Sequence, residues 1–140
     1  MGRSMSVCAR MAVGLAFLIC RASPGVLRRL LERVVRNGRR PPMYDALRYR
    51  AAVVSVSSVC AGEGCLPRSV ATVLLARFHG YGLSWCTGIR DAPFAAHAWV
   101  EVDGQAVGEP GDIGTFRRML TAVPKYARAH GMKDAPLHEG

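Results

Sequence analysis

The chain has 140 residues, half of them hydrophobic and 21% charged, with a formal net charge of +9. That length and apolar content suit one domain with a proper core and argue against global disorder. Five cysteines at irregular spacing, with no C-x-x-C pair, argue against a disulfide framework and a structural zinc site.

The charge is unevenly placed. Residues 1–60 hold eleven arginines against Glu32 and Asp45, while residues 61–140 balance eight basic with eight acidic side chains. Such segregation suggests a basic face for an acidic partner or an anionic membrane surface. Met11 to Cys20 is a ten-residue apolar run behind Arg3 and Arg10. A membrane-spanning helix needs about 20 residues, so the run is too short to cross a bilayer. It has the outline of a secretory signal, but Arg21 interrupts the small residues a cleavage site would need, and the residue before Cys20 is too bulky for a lipoprotein acceptor. The expectation is a packing or interfacial helix.

Ser23-Pro24-Gly25 opens the next helix, with Ser23 as a candidate cap. Val26, Leu27, Leu30, Leu31, Val34 and Val35 recur at helical spacing opposite Arg28, Arg29, Glu32, Arg33 and Arg36. A solvated arginine face over a buried stripe explains the pattern, and docking to a membrane surface or precursor complex is the sharper alternative. No aromatic platform accompanies the arginines, so nucleic acid is not an expected partner. Arg39-Arg40-Pro41-Pro42 is a stiff connector. Tyr44 to about Ser58 reads as a helix, although its β-branched end leaves a strand from Ala52 open.

Cys65-Leu66-Pro67-Arg68-Ser69 follows a loop with two glycines and heads an apolar run to Phe78. Proline is tolerated in the first turn of a helix, so Pro67 marks a start and puts Cys65 at or just before that turn. Unpaired N–H groups and the helix dipole favour an anion there, which makes a thiol a better nucleophile. The Cys65 N–H is the expected oxyanion donor. Arg68 is a candidate for binding substrate, with a structural ion pair as the alternative.

Leu83 to Arg90 reads as a strand, and Asp91-Ala92-Pro93 as the loop to a hairpin built around Asp103-Gly104. A two-residue loop pairs Val102 with Gln105 and leaves Glu109 on the face opposite His97. A three-residue loop with Gly104 in a bulge pairs Glu101 with Gln105, Trp99 with Val107, and His97 with Glu109. The longer loop is the expectation, because it sets a carboxylate beside an imidazole. Cys65, His97 and Glu109 are then the parts of a nucleophilic triad. Trp99 shares the His97 face, where it either walls the cleft or packs the core.

Cys65-Leu66-x-Arg68-Ser69, with Pro93-Phe94 leading into His97-Ala98-Trp99-Val100-Glu101-Val102, resembles the transglutaminase-like cysteine peptidases of lasso-peptide biosynthesis. More narrowly, it resembles the stand-alone protease half of the split maturation protein, over roughly residues 21–112. The resemblance implies an α+β fold with a transglutaminase or papain-like core, in which a helix bearing the nucleophile packs on a small antiparallel sheet beside N-terminal helices. It implies Cys65 as nucleophile and His97 as general base and acid. The third member in that family is usually an aspartate; Glu109 stands there, with Asp112 and Asp103 as alternatives. The implied reaction is removal of a leader from a ribosomally made precursor before a macrolactam cyclase closes the ring. A separate leader-binding protein would deliver the precursor, in a reducing cytoplasm and with no cofactor or metal. Acyl transfer to an amine and a non-catalytic binding role are the competing readings.

The expected organisation is a basic helical region over residues 1–42, a peptidase core over 43–123 and a mobile tail over 124–140. Thr115 to Leu120 reads as a short helix. Cys60 and Cys65 are close enough in sequence for an adventitious bridge. No role is assigned to His79, His130 or His138.

Overall fold

The structure, a computed structural model, describes residues 2–109 and 111–129, apart from the side chains of Asp112 and Ala129. Helix α1 spans Arg3–Ile19. Its small residues Ala9, Ala12, Val13 and Ala16 recur at i, i+3, i+4 and i+7 and are buried. They let α1 lie closely along helix α5, Cys65–Phe78. The bulky residues point outward, with Val7, Met11 and Leu18 at 56%, 62% and 63% exposure. The run at 11–20 therefore packs through its small side and leaves its large side bare. Among the described residues no helix is long and apolar enough to cross a membrane.

Helix α2, Pro24–Val35, begins with proline in its first turn, and Ser23 makes no side-chain cap bond. Leu27, Leu31 and Val35 are buried beneath its arginine face. Helix α3 runs Met43–Val56 without turning into a strand. Ala46, Tyr49, Ala52 and Val53 fill the interior, where α3 meets α1 and α5. Ser57 then caps a one-turn helix α4, Ser58–Ala61, accepting the Cys60 N–H at 3.3 Å. Every residue from Ser69 to Ala76 in α5 is buried. Such burial on all sides is the mark of a central helix. Helices α1, α2 and α3 pack around it.

The sheet has four antiparallel strands in the order β3-β2-β1-β4. Strand β1 is Ser84–Asp91, β2 is Phe94–Val102, β3 is Gln105–Ala106 and β4 is Arg117–Ala122. One face, including Trp85, Val100 and Val102, joins the helical core. Strand β4 corrects the helix expected at Thr115–Leu120. A 3-10 turn over Gly111–Thr115 precedes it, and the chain then pairs with β1. Pairing satisfies the backbone groups of an otherwise bare β1 edge, a tertiary demand that local propensity does not record.

The hairpin register is also corrected. Val102 pairs with Gln105 and Glu101 with Ala106, around a two-residue loop. Asp103 and Gly104 have φ of 52° and 80°, the pair of positive values that the tight primed turn requires. After the ladder a short helix α6, Lys125–Ala129, docks onto the body. Tyr126 donates to the Gly82 carbonyl at 2.5 Å and Arg128 reaches Glu32 at the same distance. The expected mobile tail thus begins with an ordered turn of helix; residues 130–140, with His130 and His138, lie outside the described residues.

Candidate active site

Cys65 is the first residue of α5, and its approach loop is held from several sides. Arg68 donates from Nη1 to the carbonyls of Cys60 and Gly62, at 3.0 and 3.1 Å. Ser69 Oγ donates to the Leu66 carbonyl at 2.9 Å, and Trp85 Nε1 donates to that same Oγ at 3.0 Å. The first turn of α5 is therefore bolted to β1 through a buried indole. Cys65, His97 and Ala98 line one cavity, and the thiol's electrostatics are set by the His97 ring and the Ala98 amide. Ala98 can offer that amide because β3 is so short. Val100 faces the β3 edge, where its carbonyl accepts the Val107 N–H at 2.9 Å. By alternation Ala98 faces the same edge, two residues past the last ladder bond.

Glu109 reaches His97 by a route the hairpin register alone would forbid. Carried straight on, the two-residue loop would set Glu109 across from Ala98, on the wrong face. Gly108 breaks that continuation with φ of 67°, a left-handed conformation that glycine adopts without strain. The chain turns, and Glu109 Oε1 meets His97 Nε2 while Glu109 Oε2 accepts from Arg50 Nη2 at 3.0 Å. The Glu109 side chain is 3% exposed. With Nε2 engaged by the carboxylate, Nδ1 is the ring nitrogen that serves the thiol. Trp99 stacks on the imidazole at 5.9 Å between centroids and 18° between planes, and Phe116 lies 5.7 Å away.

The electrostatics favour a thiolate beside an imidazolium. The hydrogen bond with His97 lowers the Cys65 pKa against the opposing effect of burial, helped by the Ala98 amide and the charges of His97 and Arg68. His97 is raised to about 9, by its hydrogen bonds to Cys65 and Glu109 and by their negative charge. Burial would raise Glu109, but the His97 hydrogen bond and the charges of His97, Arg50 and Arg68 outweigh it and hold the carboxyl low. All three shifts point the same way: ion pair formed, carboxylate ionised.

Several expectations change. The Cys65 N–H is spent on the Glu63 carbonyl at 2.8 Å, so it is not poised for an oxyanion. Pro67 has no N–H and that of Arg68 closes onto Gly64 at 3.0 Å, which leaves Leu66 as the first-turn amide with no partner among the described residues. Among the described residues Arg68 has no ion pair, and its hydrogen bonds staple the loop. Trp99 is 3% exposed, and its indole donates to Glu101 Oε2 at 2.7 Å, where Arg118 also binds at 2.7 Å. It backs the imidazole and does not wall the cleft. Asp103 is at the hairpin tip, paired with Arg40 at 3.1 Å. Asp112 lies in the 3-10 turn with its side chain outside the described residues. Cys60 is buried, and it and Cys65 are free thiols. Among the described residues no group of three or more potential ligands could hold a metal.

Sequence reasoning missed Arg50, Leu66 and the Ala98 amide. Arg50 is 59 residues from Glu109, and nothing in its helix marks it out. The isolated Gly108 just before Glu109 was a legible hint of a turn. Around Cys65 and His97 lies a cavity of about 420 Å³, bordered by Cys20, Leu27, Leu66 and Met119. A side chain beside the reacting carbonyl would therefore meet an apolar surface.

Comparison with protein families matches residues 9–121 to the transglutaminase-like superfamily. Neither the curated proteins nor the solved structures contain a significant match. The matched span includes most of α1 as well as Cys65, His97 and Glu109, in agreement with the single body that these helices and the sheet form. The chain belongs to the transglutaminase-like superfamily, which includes cysteine peptidases and acyltransferases.

Proposed function

We propose that this protein is a cysteine endopeptidase that removes the leader from a lasso-type precursor peptide. One observation carries the enzymatic part: Cys65, His97 and Ala98 line one cavity, while Glu109 takes Nε2 of the His97 ring. The Cys-x-x-Arg and His-Ala-Trp motifs support the choice of substrate through the resemblance they carry.

In this reading the Cys65 thiolate attacks the scissile carbonyl and forms a carbon–sulfur bond. The developing oxyanion takes the Leu66 N–H. The imidazolium gives its Nδ1 proton to the leaving amine, the C–N bond breaks, and a thioester remains. Neutral His97 then takes a proton from water, whose oxygen attacks the thioester and releases the acid and Cys65. Glu109 supports the imidazolium at each stage, and Arg50 holds Glu109. A separate leader-binding protein presents the precursor and a macrolactam cyclase receives the product. The compartment is the reducing cytoplasm, where a thiol enzyme keeps its nucleophile.

The test is mass spectrometry on a lasso precursor from the same gene neighbourhood, with its leader-binding partner, comparing wild type and Cys65→Ala. A leader fragment formed by wild type alone is the expected result. Isopeptide products on addition of a primary amine would transfer the assignment to an acyltransferase. No product from either protein, with the precursor complex still assembled, would make the chain a binding module.

A further inference from the structure

Away from the cleft, five cations line one cavity of about 480 Å³. Arg29 and Arg33 of α2 and Arg36 at its C-terminal cap form one wall, and Lys125 and Arg128 of α6 the other. Glu32 is the single carboxylate in the lining, and it is already used on both sides. Its Oε2 accepts from Arg28 at 2.8 Å and its Oε1 from Arg128 at 2.5 Å. Arg29, Arg33, Arg36 and Lys125 are exposed and have no ion-pair partner among the described residues. Positions 29, 33 and 36 follow one helix face, where like charges repel. An anionic ligand would offset that repulsion, and the concavity between two helices gives it a seat.

Helix α2 connects this cavity to the cleft. Leu27 lines the cavity that holds Cys65 and His97, while Arg33 and Arg36 are six and nine residues further along. At 1.5 Å per residue that is about 9–14 Å, or about three to four residues of extended peptide. We propose that the basic cavity is an exosite for an acidic stretch of the polypeptide cleaved at Cys65, at least about three residues from the scissile bond. This rests on the peptidase reading. A peptide is favoured over a bilayer because a flat surface cannot enter a groove between two helices. It is favoured over a single small anion because the unpaired cations are spread over both walls.

The test uses the full chain with Cys65→Ala and a fluorescent tetraglutamate peptide beside its tetraglutamine counterpart. Arg29→Glu with Lys125→Glu reverses one charge on each wall, and Lys125→Glu places an acid at a helix start, where it is tolerated. Arg33→Gln with Arg36→Gln is the milder second pair. Anisotropy should show salt-sensitive binding of the glutamate peptide alone, weakened by about tenfold or more in the double charge reversal. In the Cys65 enzyme the same changes should raise KM for acidic precursors and leave kcat and small-ester turnover as they were. Equal binding by reversed and unreversed protein would overturn the exosite. So would binding of anionic vesicles or inorganic pyrophosphate with no binding of the peptide. Cleavage with one KM for acidic and neutral peptides would overturn the exosite and keep the peptidase. Peptide binding without any cleavage would do the reverse, leaving an acidic-segment site on a chain that is no peptidase.

Discussion

Arg50 donates to Glu109 Oε2 at 3.0 Å across 59 residues of chain, and that contact fixes the carboxylate on which His97 leans. Arg50 comes from the helical layer and Glu109 from the end of the hairpin, so the pair ties the two layers together at the site. Arg50→Gln should lower kcat about tenfold or more with KM little changed, and Arg50→Lys should recover only part, since an ammonium lacks the guanidinium's planar fork. Steady-state kinetics on both variants, with melting curves to separate positioning from folding, check this.

Glu109→Gln removes the charge that raises His97. Turnover should fall by about a hundredfold to ten-thousandfold, the range in which loss of an orienting carboxylate or a general acid–base falls. Glu109→Asp should retain part of the rate. If Asp112→Asn is the damaging change instead, the third member of the triad is Asp112 and not Glu109.

The pH dependence follows from the direction of each shift. Cys65 is lowered and His97 raised to about 9, so the two shifts widen the range in which thiolate and imidazolium coexist, and that range ends near 9. The alkaline limb of kcat/KM should fall near 9, and in Glu109→Gln it should move to lower pH. Iodoacetamide should alkylate Cys65 faster than the other cysteines at pH 6. Cys86, for comparison, is raised well above the usual thiol value by burial and the nearby Glu101.

Stability carries the same signature. His97 has a folded pKa above its ordinary 6.5. Its stabilising contribution is therefore complete below 6.5 and is lost as pH rises through about 9. Glu109 is lowered from 4.5, so its contribution is present above 4.5 and is lost as pH falls through its folded value. Urea titrations should show the gap between wild type and His97→Gln narrowing from pH 6.5 to 9.

Gly88 sits opposite His97 in the ladder, beside the irregularity where β4 shifts its register. An added Cβ would come within 2.7 Å of the Arg117 carbonyl and 2.9 Å of the Trp99 ring. Gly88→Ala should destabilise the fold by about 1–3 kcal/mol, the usual cost of overpacking. It should also reduce activity by displacing the indole behind His97. Thermal denaturation and kinetics on one preparation distinguish the two effects.

Local chemistry alone marks much of this protein. Pro67 after a glycine loop starts α5 and places Cys65 on its first turn, because a proline there loses no helix bond. Helical spacing of apolar residues marks α2, and Asp103-Gly104 marks the hairpin, since both depend on neighbours in sequence. What lay beyond reach depends on neighbours in space. Strand β4 exists because the β1 edge needs partners, and Thr115–Leu120 carries no sign of that need. Glu109 reaches His97 through a left-handed turn at Gly108 and not through the bulged hairpin the register argument favours. The carboxylate that meets His97 was legible and the path to it was not. The Cys65 amide is lost to Glu63 because backbone bonds are settled only when loops and strand ends meet. The residue types at the site are written in the chain, but their hydrogen-bond partners are chosen by packing, which brings together groups far apart in sequence and removes the water that would otherwise have paired with them.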